Sequence, residues 1–115
     1  MDNMPLLEKE HTITSLEVAE MIEKEHRKLL RDIRRYCGQI AETNFGLGEN
    51  FAEVKIDLGD FFIESTYLDA NNQSRPCYEV TKKGCEFIAN KLTGQKGTEF
   101  TARYINRFHN MEVAV

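Results

Sequence analysis

Apolar residues recur along this chain at two spacings, one helical and one alternating. Val18, Ala19 and Ile22 form a short helical stripe, which predicts a first helix over about Leu16 to Lys24 with Ser15 as its N-cap. Glu25 and His26 fall at a break. Leu29, Leu30, Ile33 and Cys37 then repeat at helical spacing, predicting a second helix over about Arg27 to Gln39. His11 to Thr14 alternates and is partly β-branched, as in a short strand leading into the first helix. The pattern weakens from Ala41 to Asp60. Thr43 to Asn50 is rich in turn formers, and Phe51 to Leu58 is compatible with a short helix or a strand. Phe61-Phe62-Ile63-Glu64-Ser65-Thr66-Tyr67 reads as a strand, Asp69 to Ser74 as a polar turn, and Cys77-Tyr78-Glu79-Val80 as the returning strand. Pro76 at the start of that return suits an edge position. Thr81 caps a third helix over about Lys82 to Leu92, carrying Phe87, Ile88 and Leu92, which Gly94 ends. A final helix over about Thr98 to Met111 carries Phe100, Tyr104, Ile105 and Phe108.

The order helix, helix, hairpin, helix, helix is that of an α+β domain of winged helix-turn-helix type. It assigns 1–10 to a loose N-terminal arm and 11–115 to one domain, a size that supports a single modest core. With 41% hydrophobic and 30% charged residues the composition is that of a soluble globular protein. No apolar run approaches the roughly 20 residues of a membrane span. MDNMPLLEKEH lacks the basic start and long apolar core of a secretory signal. Cys37, Cys77 and Cys85 are odd in number and include no CxxC pair, so they read as packed thiols of a reducing cytoplasm rather than a disulfide framework or a zinc site.

Charge sharpens the picture. The chain carries a net charge of −4 and a pI of about 5.4, which argues against general affinity for nucleic acid. Its cations nevertheless concentrate between Lys24 and Arg35, whereas acids gather at Asp2, Glu8 and Glu10 and between Glu42 and Glu64. In the second helix Arg27, Arg31 and Arg34 follow the i, i+4, i+7 rule on a face away from the apolar stripe, flanked by Lys28 and Arg35. One buried side and one guanidinium-rich side, behind a short capped helix, is what a DNA-reading helix-turn-helix needs. Arginine suits the task because its planar fork grips a phosphate or the O6/N7 edge of guanine. The competing reading is a solvated helix surface.

Other candidates carry two readings each. His26 is either a phosphate or base-edge contact, or a residue that packs and caps the turn. Asn72 and Arg75 at the hairpin tip either flank the DNA as a wing or belong to an ordinary hydrophilic turn. Lys82 and Lys83 either touch phosphate beside the wing or are solvated. The stripe Phe100, Tyr104, Phe108 is core or a dimer surface. His11, His26 and His109 are too scattered for a metal triad, and Gly94-Gln95-Lys96-Gly97 lacks the GxxxxGK[ST] pattern of a phosphate loop. No nucleophile–base pair or paired carboxylates stand out, so an enzyme is not expected.

Specific blocks carry a resemblance. They begin with Thr14-Ser15-Leu16-Glu17-Val18-Ala19, Lys24-Glu25-His26 and Leu30-Arg31-Asp32-Ile33, and continue with Asn44-Phe45, Phe61 to Tyr67, Arg75-Pro76-Cys77-Tyr78 and Thr81 to Cys85. Leu92 to Gly97, Phe100 and Tyr104 to Phe108 complete them. In this order they resemble the Rha family of phage regulatory proteins. The resemblance implies an antirepressor-like phage or prophage regulator with a DNA-binding N-terminal domain, without cofactor or catalysis, acting in the bacterial cytoplasm. Many relatives carry a second, C-terminal domain, for which 115 residues leave no room. Partners expected on this basis are double-stranded DNA, a second copy meeting through the C-terminal helices, or an acidic repressor protein gripped by the basic helix.

Overall fold

The computed structural model describes residues 10–48 and 55–113. Strand β1 (Thr12–Thr14) leads into α1 (Ser15–Ile22), followed by α2 (His26–Leu47) and a single 3-10 turn (Leu58–Asp60). Strands β2 (Phe62–Leu68) and β3 (Ser74–Thr81), then helices α3 (Lys82–Ala89) and α4 (Gly94–Val113), complete the order. Four helices and one antiparallel sheet of order β1-β3-β2 make the fold α+β. Residues 1–9 of the expected arm and 51–54 of the ambiguous segment lie outside the described residues; 55–57 is neither helix nor strand.

One cluster of buried side chains collects every layer. Val18, Ala19 and Ile22 come from α1, Leu29, Leu30 and Ile33 from α2, and Ile13, Phe62, Tyr78 and Val80 from the sheet. Cys85 and Ile88 of α3 and Phe100, Tyr104 and Phe108 of α4 close it. The aromatic stripe of α4 is therefore core, with Phe100 wholly buried. Helix α4 is also clamped to α1 at both ends. Lys96 Nζ donates to the Ile22 carbonyl at 2.9 Å, capping the end of α1, and Arg107 Nε meets Glu17 Oε2 at 2.7 Å.

Several expected boundaries move. Thr14, not Ser15, caps α1: its side chain accepts from Glu17 N–H, which leaves the Ser15 hydroxyl for a more distant task. Helix α2 continues to Leu47 instead of stopping near Gln39. Ile40 keeps its apolar face buried, Thr43 bonds back to the Gln39 carbonyl, and Asn44 grips the Ile56 backbone through both N–H and C=O. Within α2, the interior Gly38 costs about 1 kcal/mol relative to alanine, and a Cβ there or at Gly46 in the last turn would meet nothing within 4 Å. Helix α3 stops at Ala89, short of Leu92. Gly94, with φ +62°, starts α4 rather than ending α3, so Gly94 to Gly97 is a helical turn and not a loop. Pro76 is third in β3, and β3 is the middle strand. It is tolerated there because β1 pairs only with Glu79 to Thr81, leaving β3 open on that side at Pro76.

The sheet meets the helices at two joints. At the first, the fully buried Ser15 Oγ accepts from Tyr78 N–H at 3.0 Å and lies 2.8 Å from His26 Nε2. The hydroxyl can donate to Nε2 or accept a second bond from it, according to the imidazole tautomer. The His26 ring also meets Tyr67 edge-on at 5.8 Å. At the second joint, Thr81 Oγ1 caps α3 by accepting from Gly84 N–H at 3.0 Å, and it donates to the Asp60 carbonyl at 2.5 Å. Gly84 packs so closely that a Cβ would lie 2.2 Å from the Phe61 carbonyl oxygen and 2.8 Å from Val80 Cγ1.

Cysteines Cys77 and Cys85 are buried and Cys37 half-buried, all as free thiols. Burial pushes the Cys85 thiol up to about 12.

Two outcomes follow from these joints. Gly84→Ala forces backbone apart and is expected to destabilise by about 2–3 kcal/mol, read as a lowered urea midpoint with unchanged slope; a midpoint like that of wild type would contradict the packing. Partial burial lowers the His26 pKa from its ordinary 6.5. The unfolded chain then binds the proton more tightly, so stability is full above pH 6.5 and falls as the pH drops below it. The urea midpoint should therefore decline less between pH 7.5 and 5.5 in His26→Gln than in wild type, and equal declines would refute the assignment.

Candidate nucleic-acid interface

A turn of three residues, Glu23 to Glu25, separates α1 from α2, the length used by helix-turn-helix units. Glu23 takes the left-handed conformation (φ 57°, ψ 47°), and the N–H groups of Glu23 and Lys24 close the end of α1 on the Glu20 and Ala19 carbonyls. Glu25 starts α2 without a side-chain cap.

Burial divides α2 sharply. Between Arg27 and Arg35 the buried positions are Leu29, Leu30, Asp32 and Ile33, and every exposed position is a cation: Arg27, Lys28, Arg31, Arg34 and Arg35. The sequence-predicted basic face thus exists, and the fold points all of it outward. The cations are held differently. Arg27 and Lys28 lean on Glu25, at 3.1 and 3.9 Å; these pairs are exposed and easily exchanged for another anion. Arg35 Nη1 lies 3.1 Å from Asp32 Oδ1 and its guanidinium sits 5.4 Å from the Tyr36 ring centre. Among the described residues, Arg31 and Arg34 pair with no carboxylate.

Asp32 organises this face from beneath. Its other oxygen takes Lys24 Nζ at 2.6 Å, so one carboxylate ties the turn to the middle of α2. Burial works against its charge, but Lys24 and Arg35 outweigh that and hold its pKa below the ordinary 3.8. Sequence reasoning gave Asp32 no role; the available signal was that it is the single acid among the cations from Arg27 to Arg35.

The remaining candidates separate into two groups. At the hairpin tip, Asn72 adopts φ 65° in a turn organised by Asp69, whose Oδ1 accepts from the N–H groups of Asn71 and Gln73. Arg75 Nε meets Asp69 Oδ2 at 2.8 Å, a contact that holds the Asp69 carboxyl below its ordinary range. Arg75 and Tyr67 line one side of an open cleft of about 440 Å³, with His26 and Arg27 on the other. A second cleft sets Arg34 opposite Glu64 and Thr66. His26, Arg27, Arg34 and Arg75 are therefore neighbours across the seam between α2 and the hairpin. Sequence reasoning missed Tyr67, which supports His26. Lys82 and Lys83 are exposed but begin α3 at the root of the hairpin, a strand length of roughly 23 Å from the tip. The structure does not bring them beside the hairpin tip. Among the described residues, no helix is long and apolar enough to cross a membrane.

Comparison with known proteins gives the architecture a family. The family described as phage regulatory protein Rha matches residues 13–113. A curated relative, the SPbeta prophage-derived protein YoqD of Bacillus subtilis (strain 168), a candidate antirepressor by its name, is 41% identical over 103 residues. That alignment covers 90% of this chain and 37% of YoqD, so the chain spans just over a third of the relative's length. No solved structure matches. The match extends across both helices of the basic unit, the hairpin and the C-terminal helices, and the chain belongs to the phage regulatory protein Rha family.

Proposed function

We propose that this chain is a DNA-binding phage or prophage regulator of winged helix-turn-helix type, with α2 as the reading helix and the β2–β3 hairpin as the wing. The observation that carries the reading is the outward face of α2, where every exposed position from Arg27 to Arg35 is cationic in a chain of net charge −4. Phosphate neutralisation supplies most of the affinity of such a face, and the rest of the acidic surface limits non-specific binding. Arg31 and Arg34, free of carboxylate partners among the described residues, are the groups available to base edges. Arg27, Lys28 and Arg35 exchange their partners for phosphate. Asn72 and Arg75 contact the flanking backbone, and His26 holds the turn that aims the helix. Lys82 and Lys83 enter only as flanking charge.

A single module of this size offers little contact area, and a second copy doubles it. With Phe100, Tyr104 and Phe108 spent in the core, a pair formed through the C-terminal helices would use the groove between α3 and α4, where Leu92, Ala102 and the exposed Ile105 lie. Sedimentation tests this: Ile105→Asp should shift the protein towards monomer, and an unchanged distribution rules this face out.

A second reading has the same basic face hold an acidic protein, as an antirepressor would; the name of the relative favours it. One titration separates the two. Fluorescent duplexes recovered by the wild-type chain from a random-sequence pool are titrated at two salt concentrations. Arg31→Ala should lose about 10- to 100-fold in affinity, and binding should weaken steeply with salt. An empty selection, or binding indifferent to salt and to Arg31, would remove the DNA reading in favour of the protein one.

A further inference from the structure

The interior of helix α2 contains a glycine that the rest of the described molecule does not use. Gly38 is exposed, a Cβ there would meet nothing within 4 Å, and its φ is not positive. Neither packing nor backbone conformation demands glycine, although glycine weakens a helix interior. Gly84 is the contrast, since its missing Cβ makes room for the Phe61 carbonyl.

Position gives Gly38 its meaning. Arg27, Arg31, Arg34 and Gly38 stand at i, i+4, i+7 and i+11, one line along the exposed face. Eleven residues advance a helix by about 16 Å, against a major-groove width of about 12 Å. A helix that reads bases from its N-terminal turns therefore brings the residue eleven positions beyond Arg27 to the sugar–phosphate wall. One turn farther, Glu42 is the first exposed acid of α2, and a carboxylate there would be repelled by phosphate. The DNA-facing line thus ends between Gly38 and Glu42.

Resting on the DNA-binding reading above, we infer that Gly38 is the point of closest approach between α2 and the DNA backbone. Its missing side chain lets the helix settle deep enough for Arg31 and Arg34 to reach base edges. The bare surface at Gly38 lies against a deoxyribose, which needs no polar partner and tolerates no added methyl group.

Four variants test this on the selected duplex: Gly38→Ala, Gly38→Leu, Arg31→Ala and Gly46→Ala. Gly46, in the last turn of the same helix, is the control, exposed and with open space for a Cβ. Gly38→Ala should raise the melting temperature by about 4 °C or more. Gly38→Ala should nevertheless bind about tenfold more weakly, the size of one mismatched base pair, and Gly38→Leu more weakly still, while Gly46→Ala binds as wild type. Gain of stability with loss of affinity is an outcome that a merely structural role for Gly38 would not produce. If Arg31→Ala weakens binding but Gly38→Ala does not, the inference falls and the DNA reading stands. If the wild type recovers no duplex, both fall together.

Discussion

The Ser15 hydroxyl is the constraint on which the arrangement depends. It is wholly buried, and a buried hydroxyl is tolerated only with its hydrogen bonds made. Its partners are the Tyr78 backbone and the His26 ring, so one oxygen ties together the start of α1, the start of α2 and the middle strand of the sheet. Apolar burial is non-directional and would let α2 slide or roll against the hairpin. These two bonds have direction, and they fix where α2 begins relative to the strands. The face that α2 turns outward follows from that anchor.

A second level of organisation is electrostatic. Five exposed cations on three turns repel one another, and the fold answers with two carboxylates, one from the side and one from below. Glu25 sits in the open beside Arg27 and Lys28, where water competes for the pair. Asp32 is buried, bonded on both oxygens, and links Lys24 in the turn to Arg35 beyond it. The result is a graded surface, in which Arg27, Lys28 and Arg35 lean on carboxylates and, among the described residues, Arg31 and Arg34 do not.

Much of this was legible in the chain. The stripes of α1, α2 and α4 found most of the core, because helical spacing of large apolar groups has few alternative explanations, but Cys37 is only half-buried and Ile105 is exposed. Thr81 was legible as a cap for the same reason that Ser15 was misread. Both are hydroxyl residues at a helix start, and only tertiary contact shows that Thr14 caps while Ser15 reaches to Tyr78. The extension of α2 to Leu47 was hidden because Thr43, Asn44 and Gly46 prefer turns; the bonds that overrule them come from Gln39 and from Ile56, twelve residues away. The basic face could be read from charge spacing alone. Which of its arginines are bound by acids could not: Arg34 stands two residues from Asp32 as Arg27 does from Glu25, yet of the two only Arg27 is paired among the described residues.

The joint at Thr81 has a mechanical consequence. Strand β3 passes into α3 without a single intervening residue, and the Thr81 side chain fastens the end of the preceding turn to the same point. Gly84 presses the Phe61 backbone against the helix, leaving no slack for a hinge. The hairpin is therefore a lever whose fulcrum lies inside the core. Over an arm of roughly 23 Å, a tilt of about 5° at α3 swings the tip by about 2 Å. Substitutions around Cys85 or Ile88, far from any cation of α2, would thus re-aim Asn72 and Arg75 without touching them.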